Sequence, residues 1–121
     1  VVGVEARGFI FASALAYALE AGTTMVRKPG KLPYQTYQET YSLEYGTDTI
    51  EIHQDAFQPG ERIVLIDDVL ATGGTLSATL NLIRKNFESV EIVEAAFLIE
   101  LDFLNGREKL KDTPIHSLIH F

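Results

Sequence analysis

Cysteine is absent from the 121 residues, which excludes a disulfide framework, a thiolate nucleophile and any Cys-ligated zinc or iron–sulfur site, and suits a reducing cytoplasm. A membrane-spanning run is missing too. The longest apolar stretch, Phe9 to Leu19, covers 11 residues with Ser13 inside it, against the roughly 20 that a bilayer requires. Basic residues are scarce, 10 against 17 acidic ones for a net charge of −7, which opposes a broad phosphate-tracking surface for nucleic acid. What is present is globular: 46% hydrophobic residues in a length that holds one domain, too apolar for a disordered chain. The sequence opens on Val1-Val2-Gly3-Val4, a buried-strand pattern with no Met and no cleavable leader before it. It is therefore read as a segment of a longer protein.

The few cations are unevenly placed. Residues 1–31 contain Arg7, Arg27, Lys28 and Lys31 against Glu5 and Glu20, a local charge of +2 that leaves −9 for residues 32–121. A solvated basic patch is the plain explanation unless an anion-binding feature lies elsewhere in the chain.

Periodicity predicts a strand at Val1–Val4, a helix over Phe9–Leu19 closed by Gly22, and a second buried strand at Thr23–Val26 ended by Pro29-Gly30. From Glu39 the pattern alternates, with Tyr41, Leu43 and Tyr45 on one face and Ile50 and Ile52 after a turn at Gly46-Thr47-Asp48. That reads as an antiparallel hairpin, a flap over about residues 38–54. A strand at Ile63–Ile66, a helix over Gly74–Phe87 carrying Leu76, Leu80 and Ile83, a strand at Val90–Ile99, a short helical turn at Asn105–Leu110 and a last strand at Ile115–Phe121 complete the chain. Alternating strands and helices predict an α/β fold: an open, mostly parallel twisted sheet flanked by helices, with ligands beyond the carboxyl ends of the strands.

Three segments then fall at those ends: Glu5–Gly8, Arg27–Lys31 and Asp67–Thr75. In the third, Gly73 and Gly74 permit a sharp turn and close approach to an anion, while the amides at the helix start and the hydroxyls of Thr72 and Thr75 offer donors to a phosphate. Substituting Gly74 by lysine is expected to disturb this loop. Asp67 and Asp68 would repel that phosphate, and suit sugar hydroxyls or a hydrated Mg²⁺. Neither G-x-x-x-x-G-K-[ST] nor G-x-G-x-x-G occurs, so the common nucleotide loops do not fit. His116 and His120 share a face of the last strand but are too few for a metal site. All three histidines, His53 included, are read as structural. Tyr34 and Tyr37 are assigned to a subunit interface rather than to base stacking.

The run Leu65-Ile66-Asp67-Asp68-Val69-Leu70-Ala71-Thr72-Gly73-Gly74-Thr75 resembles the phosphoribosyl-pyrophosphate loop of the type I phosphoribosyltransferases, and its ending is similar to the adenine-specific members. Glu5-Ala6-Arg7-Gly8-Phe9, Arg27-Lys28-Pro29-Gly30-Lys31-Leu32-Pro33 and Leu43-Glu44-Tyr45-Gly46 resemble further signatures of that group in the same order. The resemblance implies a single phosphoribosyltransferase core over residues 1–121, without the N-terminal hood that contributes much of the base recognition. It implies a cytoplasmic homodimer acting in purine salvage on adenine and 5-phosphoribosyl 1-pyrophosphate to give AMP and pyrophosphate, with no nucleic-acid or membrane partner. Ala71, Thr72, Gly73, Gly74 and Thr75 would cradle the 5′-phosphate, and Asp67 and Asp68 the ribose hydroxyls. Arg7, Lys28 and Lys31 would hold the pyrophosphate, in a tight loop at Glu5–Gly8 with a strained peptide. Glu44 in the flap would serve with Arg7 in catalysis, and Val69, where Leu is commoner, would face the purine with Tyr45. No residue would bind metal directly. Mg²⁺ would arrive with the donor and reach Asp67 and Asp68 through water.

Two alternatives remain at this point. Relatives for hypoxanthine and guanine usually show Glu-Asp in the acid pair and Lys at the Gly74 position, so Asp67-Asp68 and Gly74 argue against them, and xanthine is a further candidate base. A non-catalytic phosphoribosyl-pyrophosphate sensor usually carries a DNA-binding extension, and no helix-turn-helix or basic arm is visible.

Overall fold

Short apolar strands flanked by helices can bury both faces only in the middle of a parallel sheet, and β1 (Val2–Val4) occupies that place. In the computed structural model, which describes residues 1–121, it pairs in parallel with β2 (Thr24–Val26) on one side and β5 (Arg62–Leu70) on the other. β6 (Glu91–Glu100) and β7 (Ile115–His120) extend the sheet to the order β2-β1-β5-β6-β7, every pairing parallel. The expected α/β sheet is present, and no helix is long and apolar enough to cross a membrane.

Helix α1 (Gly8–Leu19) follows β1 and approaches it closely. Its buried residues are Gly8, Ala12 and Ala16, a small-residue stripe at i, i+4, i+8. A Cβ on Gly3 would stand 2.6 Å from the Ala12 Cβ, so the strand and helix backbones meet where neither carries bulk. The outer face stays apolar: Ile10, Tyr17 and Leu19 are exposed. The helix ends on Glu20 in the left-handed conformation (φ 55°), whose amide returns to Ala16 and Tyr17. Gly22, expected as the cap, lies two residues beyond it.

Helix α2 (Gly74–Asn86) buries Leu76, Leu80 and Ile83, as its spacing predicts, together with Ala78, Thr79 and Leu82. Against it packs the hairpin of β3 (Thr36–Leu43) and β4 (Gly46–His53). The flap thus covers residues 36–53, and its turn is Glu44-Tyr45, not Gly46-Thr47-Asp48. Its base belongs to the core. Ile50 and Ile52 are buried, Tyr37 meets Phe87 edge-on at 5.5 Å, and Arg27 and Glu51 exchange backbone hydrogen bonds of 3.0 and 2.7 Å. Tyr37, assigned to a subunit interface, thus packs its partly buried ring against Phe87 of its own chain. Tyr34 is exposed and meets His53 edge-on.

Strand β5 runs four residues further than the apolar run predicts. Asp67, Val69 and Leu70 are still in register with Phe97, Ile99 and Glu100 of β6, so the acid pair lies within the strand and not after it. Short 3-10 turns at Asp102–Leu104 and Gly106–Leu110 follow β6.

Candidate functional site

Chain direction across the sheet reverses between β1 and β5, with β2 laid to one side and β6 and β7 to the other. At such a switch point the loops leaving the carboxyl ends diverge and open a crevice. A cleft of about 480 Å³ stands there, lined by Glu5, Arg7, Lys28, Asp67, Asp68 and Thr75 among others. A smaller hollow of about 100 Å³ adjoins it and follows the loop from Ala71 through Gly74 into the first turn of α2.

The loop geometry assigns the two glycines different tasks. Gly73 is left-handed (φ 83°), and a Cβ there would stand 2.7 Å from the carbonyl oxygen of Gly106, where the segment after β6 backs onto the loop. Gly74 has ordinary helical backbone and open surroundings, the nearest atom to an added Cβ being Thr72 Oγ1 at 3.8 Å. A Cβ at Gly74 is thus accommodated, and any disturbance by lysine there must come from the side chain beyond it. First-turn amides of α2 have no intrahelical acceptor by geometry and form the positive end of the helix dipole, which suits a phosphate.

Each cation in or beside the cleft is held by a carboxylate. Arg7 pairs with Asp68, Lys28 with Asp48 of the flap, and Lys31 with Glu5 at 2.6 Å. Glu5 also accepts hydrogen bonds from Arg27 Nε at 3.0 Å and the Lys28 amide at 3.2 Å. Burial works to raise the Glu5 pKa, but the bonds from Lys31, Lys28 and Arg27 outweigh it and hold the carboxyl below its usual range. The Glu5–Ala6 peptide bond is cis. Lys28 has a raised pKa, first because of its bond to Asp48. Asp67 is pushed up to about 7, chiefly by burial and then by the hydrogen bond and charge of Asp68, against the pull of its own bond from the Asp68 amide and of Arg7.

Arg7, Lys28, Asp67, Asp68, Val69, Ala71 and Thr75 share the cleft, and Thr72, Gly73 and Gly74 line the adjoining hollow. Lys31 stands beside it on Glu5. Glu44 and Tyr45 are not brought in: they form the exposed flap turn, Tyr45 at 93% exposure. Sequence reading missed Glu5, whose signal was its place as one of two acids among four cations, and Arg27, counted in that cluster but given no task. It also missed Tyr41 and Asp48, which only the folded hairpin brings to the cleft.

The histidines lie elsewhere. His53 meets Tyr34 edge-on, and its Nε2 is buried without a partner. His120 Nδ1 stands 2.7 Å from Asp102 and 3.8 Å from Glu100, a grouping with the ligand types for a cation. Glu100, however, already accepts from Arg107 at 2.7 Å and from Ser117, so a fixed positive charge occupies that carboxylate. His116 is exposed and stands apart.

Residues 1–118 match the phosphoribosyl transferase domain family. The chain is 61% identical over all 121 residues to an adenine phosphoribosyltransferase of Syntrophotalea carbinolica, spanning 70% of that protein. Its fold superposes with a TM-score of 0.94 on the crystal structure of adenine phosphoribosyltransferase from Thermoanaerobacter pseudethanolicus, at 50% identity, covering 99% of this chain and 69% of that one. It is also similar, with a TM-score of 0.90 and 43% identity, to the Saccharomyces cerevisiae enzyme complexed with an imino-altritol bisphosphate and adenine, covering 97% of this chain and 65% of that one.

Proposed function

Because the chain belongs to the phosphoribosyl transferase domain family, we propose that it transfers the 5-phosphoribosyl group of 5-phosphoribosyl 1-pyrophosphate to N9 of adenine, giving AMP and pyrophosphate in purine salvage. The observation that carries this is the 61% identity, over every residue, to an adenine phosphoribosyltransferase. The cleft supports it with an anion loop, an acid pair and a set of cations on one wall.

In this reading Ala71–Thr75 bind the 5′-phosphate, Asp67 and Asp68 accept the ribose hydroxyls, and Arg7, Lys28 and Lys31 hold the pyrophosphate. The C1–O bond breaks with its electron pair leaving on pyrophosphate, the N9 lone pair forms the C1–N9 bond, and the N9 proton departs to a base. Charge gathers on the leaving group as the bond stretches, so the fixed cations act more strongly on the transition state than on the bound donor. Glu44 is the proposed acceptor of that proton and Tyr45 a purine contact, both delivered by the flap turn, while Val69 faces the base from β5. Mg²⁺ takes hard oxygen ligands. Adjacent carboxylates on one cleft wall, Asp67 with its charge resisted by burial, fit such an ion when the donor carries it in and they reach it through its waters. When bound it supplies positive charge to the departing pyrophosphate.

Residues 1–121 are proposed to carry the donor site, with part of base recognition in an upstream hood. A cytoplasmic homodimer completes the proposal, and the exposed apolar residues Ile10, Tyr17 and Leu19 on α1 support association.

The test is Mg²⁺-dependent nucleoside monophosphate formation from the donor with adenine, hypoxanthine, guanine and xanthine offered separately, on this chain and on a version extended upstream. Turnover of adenine alone is expected, highest in the extended protein. Turnover of another base moves the assignment within the family, and donor binding without turnover by either protein makes it a sensor. Replacing Asp68 by asparagine removes a charged acceptor and is expected to raise the donor KM by about tenfold, the size of one charge-assisted hydrogen bond. Unchanged kinetics would remove Asp68 from the ribose site.

A further inference from the structure

The loop assigned to the 5′-phosphate has a floor. Gly73 backs onto the carbonyl of Gly106, and Gly106 in turn backs onto Ala71 and Leu70, so closely that neither glycine has room for a Cβ. That carbonyl shares one rigid peptide plane with the Arg107 amide and Cα, so whatever fixes Arg107 fixes the floor. Arg107 donates from Nε to Glu100 Oε2 at 2.7 Å. Glu100, the last residue of β6, is itself firmly held: it is 3% exposed, in register with Leu70 of β5 and His120 of β7, and its Oε1 accepts from Ser117 at 2.7 Å. Leu101 beside it donates its amide to the Leu70 carbonyl at 3.0 Å. One buried carboxylate thus joins the end of the sheet to the back of the phosphate loop, across a turn made at Asn105 in the left-handed conformation (φ 52°).

Resting on the assignment of Ala71–Thr75 to the 5′-phosphate, we propose that Glu100 is a positioning residue for that phosphate: through Arg107 it holds the Gly106 carbonyl against Gly73 and so fixes where the loop presents its amides. Glu100 lines neither the cleft nor the adjoining hollow, so it acts through the chain and not on the ligand. A buried ion pair adds little net stability over apolar packing of the same volume, because desolvation consumes most of the attraction. Its charge-assisted hydrogen bond is directional, however, and selects one placement of Arg107. That serves a loop whose amides must meet a phosphate within about 0.5 Å better than it serves stability. The bond from Arg107 leads the causes that hold the Glu100 carboxyl below its usual range, ahead of the burial that works to raise it.

Ribose 5-phosphate titrated into the chain by calorimetry tests this, at a temperature where circular dichroism shows each variant fully folded. Glu100→Gln keeps the side chain's shape but turns the charge-assisted bond to Arg107 into a neutral one, and is expected to weaken binding about threefold. Glu100→Gln combined with Arg107→Ala removes the tether without leaving a buried charge unpaired, and is expected to weaken it about fivefold. Ser117→Ala is the matched control: it removes the other side-chain bond to the same carboxylate and leaves the Arg107 tether in place, so its binding is expected to equal the parent's even where its melting temperature falls. Equal weakening in Ser117→Ala and Glu100→Gln would make the carboxylate a general support of the sheet end and overturn the positioning role, as would unchanged binding in either Glu100 variant. Both results leave the phosphate assignment standing. No binding of ribose 5-phosphate by the parent overturns that assignment and the positioning role together.

Discussion

Replacing Gly73 by alanine is expected to lower the unfolding midpoint by about 10 °C, from a loss of about 2–3 kcal/mol in a domain of this size, and to weaken ribose 5-phosphate binding by at least about tenfold. The left-handed backbone at φ 83° accounts for about 1 kcal/mol of this once a Cβ is present. The rest comes from the Gly106 carbonyl 2.7 Å from that Cβ, a backbone atom with nowhere to retreat because Gly106 is itself buried against Ala71 and Leu70. Either the loop or the segment behind it must shift, and a shift misplaces the amides offered to the phosphate. Alanine at Gly74 is the matched control: its backbone is helical and its surroundings open, so its midpoint should equal or slightly exceed the parent's. Thermal melts followed by circular dichroism, with a ribose 5-phosphate titration of each variant, decide the matter. Equal melting of Gly73→Ala and Gly74→Ala would mean that the loop does not rest on Gly106.

A comparably large effect, of opposite sign, is expected at Asp67. Burial and Asp68 push its pKa to about 7, whereas in the unfolded chain it ionises near 4. Between those values the folded chain keeps a proton that the unfolded chain has released, so stability falls as pH rises through that window and stays reduced above it. Asparagine does not titrate. Asp67→Asn should therefore melt with the parent near pH 4 and above it at pH 8, by about 5 °C or more for a shift of this direction in a chain of this length. Turnover should fall in the same variant, because the carboxylate assigned to the ribose is gone. A parent-to-variant gap that does not widen from pH 4 to pH 8, measured without divalent cations, would show that the Asp67 side chain is not held neutral by its surroundings.

Local signals were legible where one element decides its own state. Leu76, Leu80 and Ile83 announce α2, and Val2 to Val4 announce a buried strand, because helical and strand periods act over a few residues. Where tertiary pairing decides, the signal misled. Asp67-Asp68 reads as a strand end, yet Phe97, Ile99 and Glu100 carry the ladder past it to Leu70. Gly46 reads as the hairpin turn, yet it pairs with Leu43 and leaves the turn to Glu44-Tyr45. Gly22 reads as the helix cap, yet Glu20 adopts the left-handed conformation two residues earlier. In the site, the residue types suited to phosphate, diol and pyrophosphate could be named in order along the chain. Their counter-charges could not, since Glu5 finds Lys31 and Lys28 finds Asp48 across 26 and 20 residues, separations that only the fold closes.

The hairpin's attachments at successive rungs make it a lever with a choice of fulcrum. Gripped at the Tyr41–Asp48 rung, it extends to Tyr45 over three residue steps, an arm of about 10 Å at 3.4 Å per residue. Freed at that rung, it next pivots at the Glu39–Ile50 rung, where Lys85 holds Glu39 and Ile50 is buried, five steps from Tyr45 and an arm of about 17 Å. A given angular swing then carries Glu44 and Tyr45 about 1.7 times as far. The Lys28–Asp48 pair thus sets the length of the flap's free arm by its position along the hairpin.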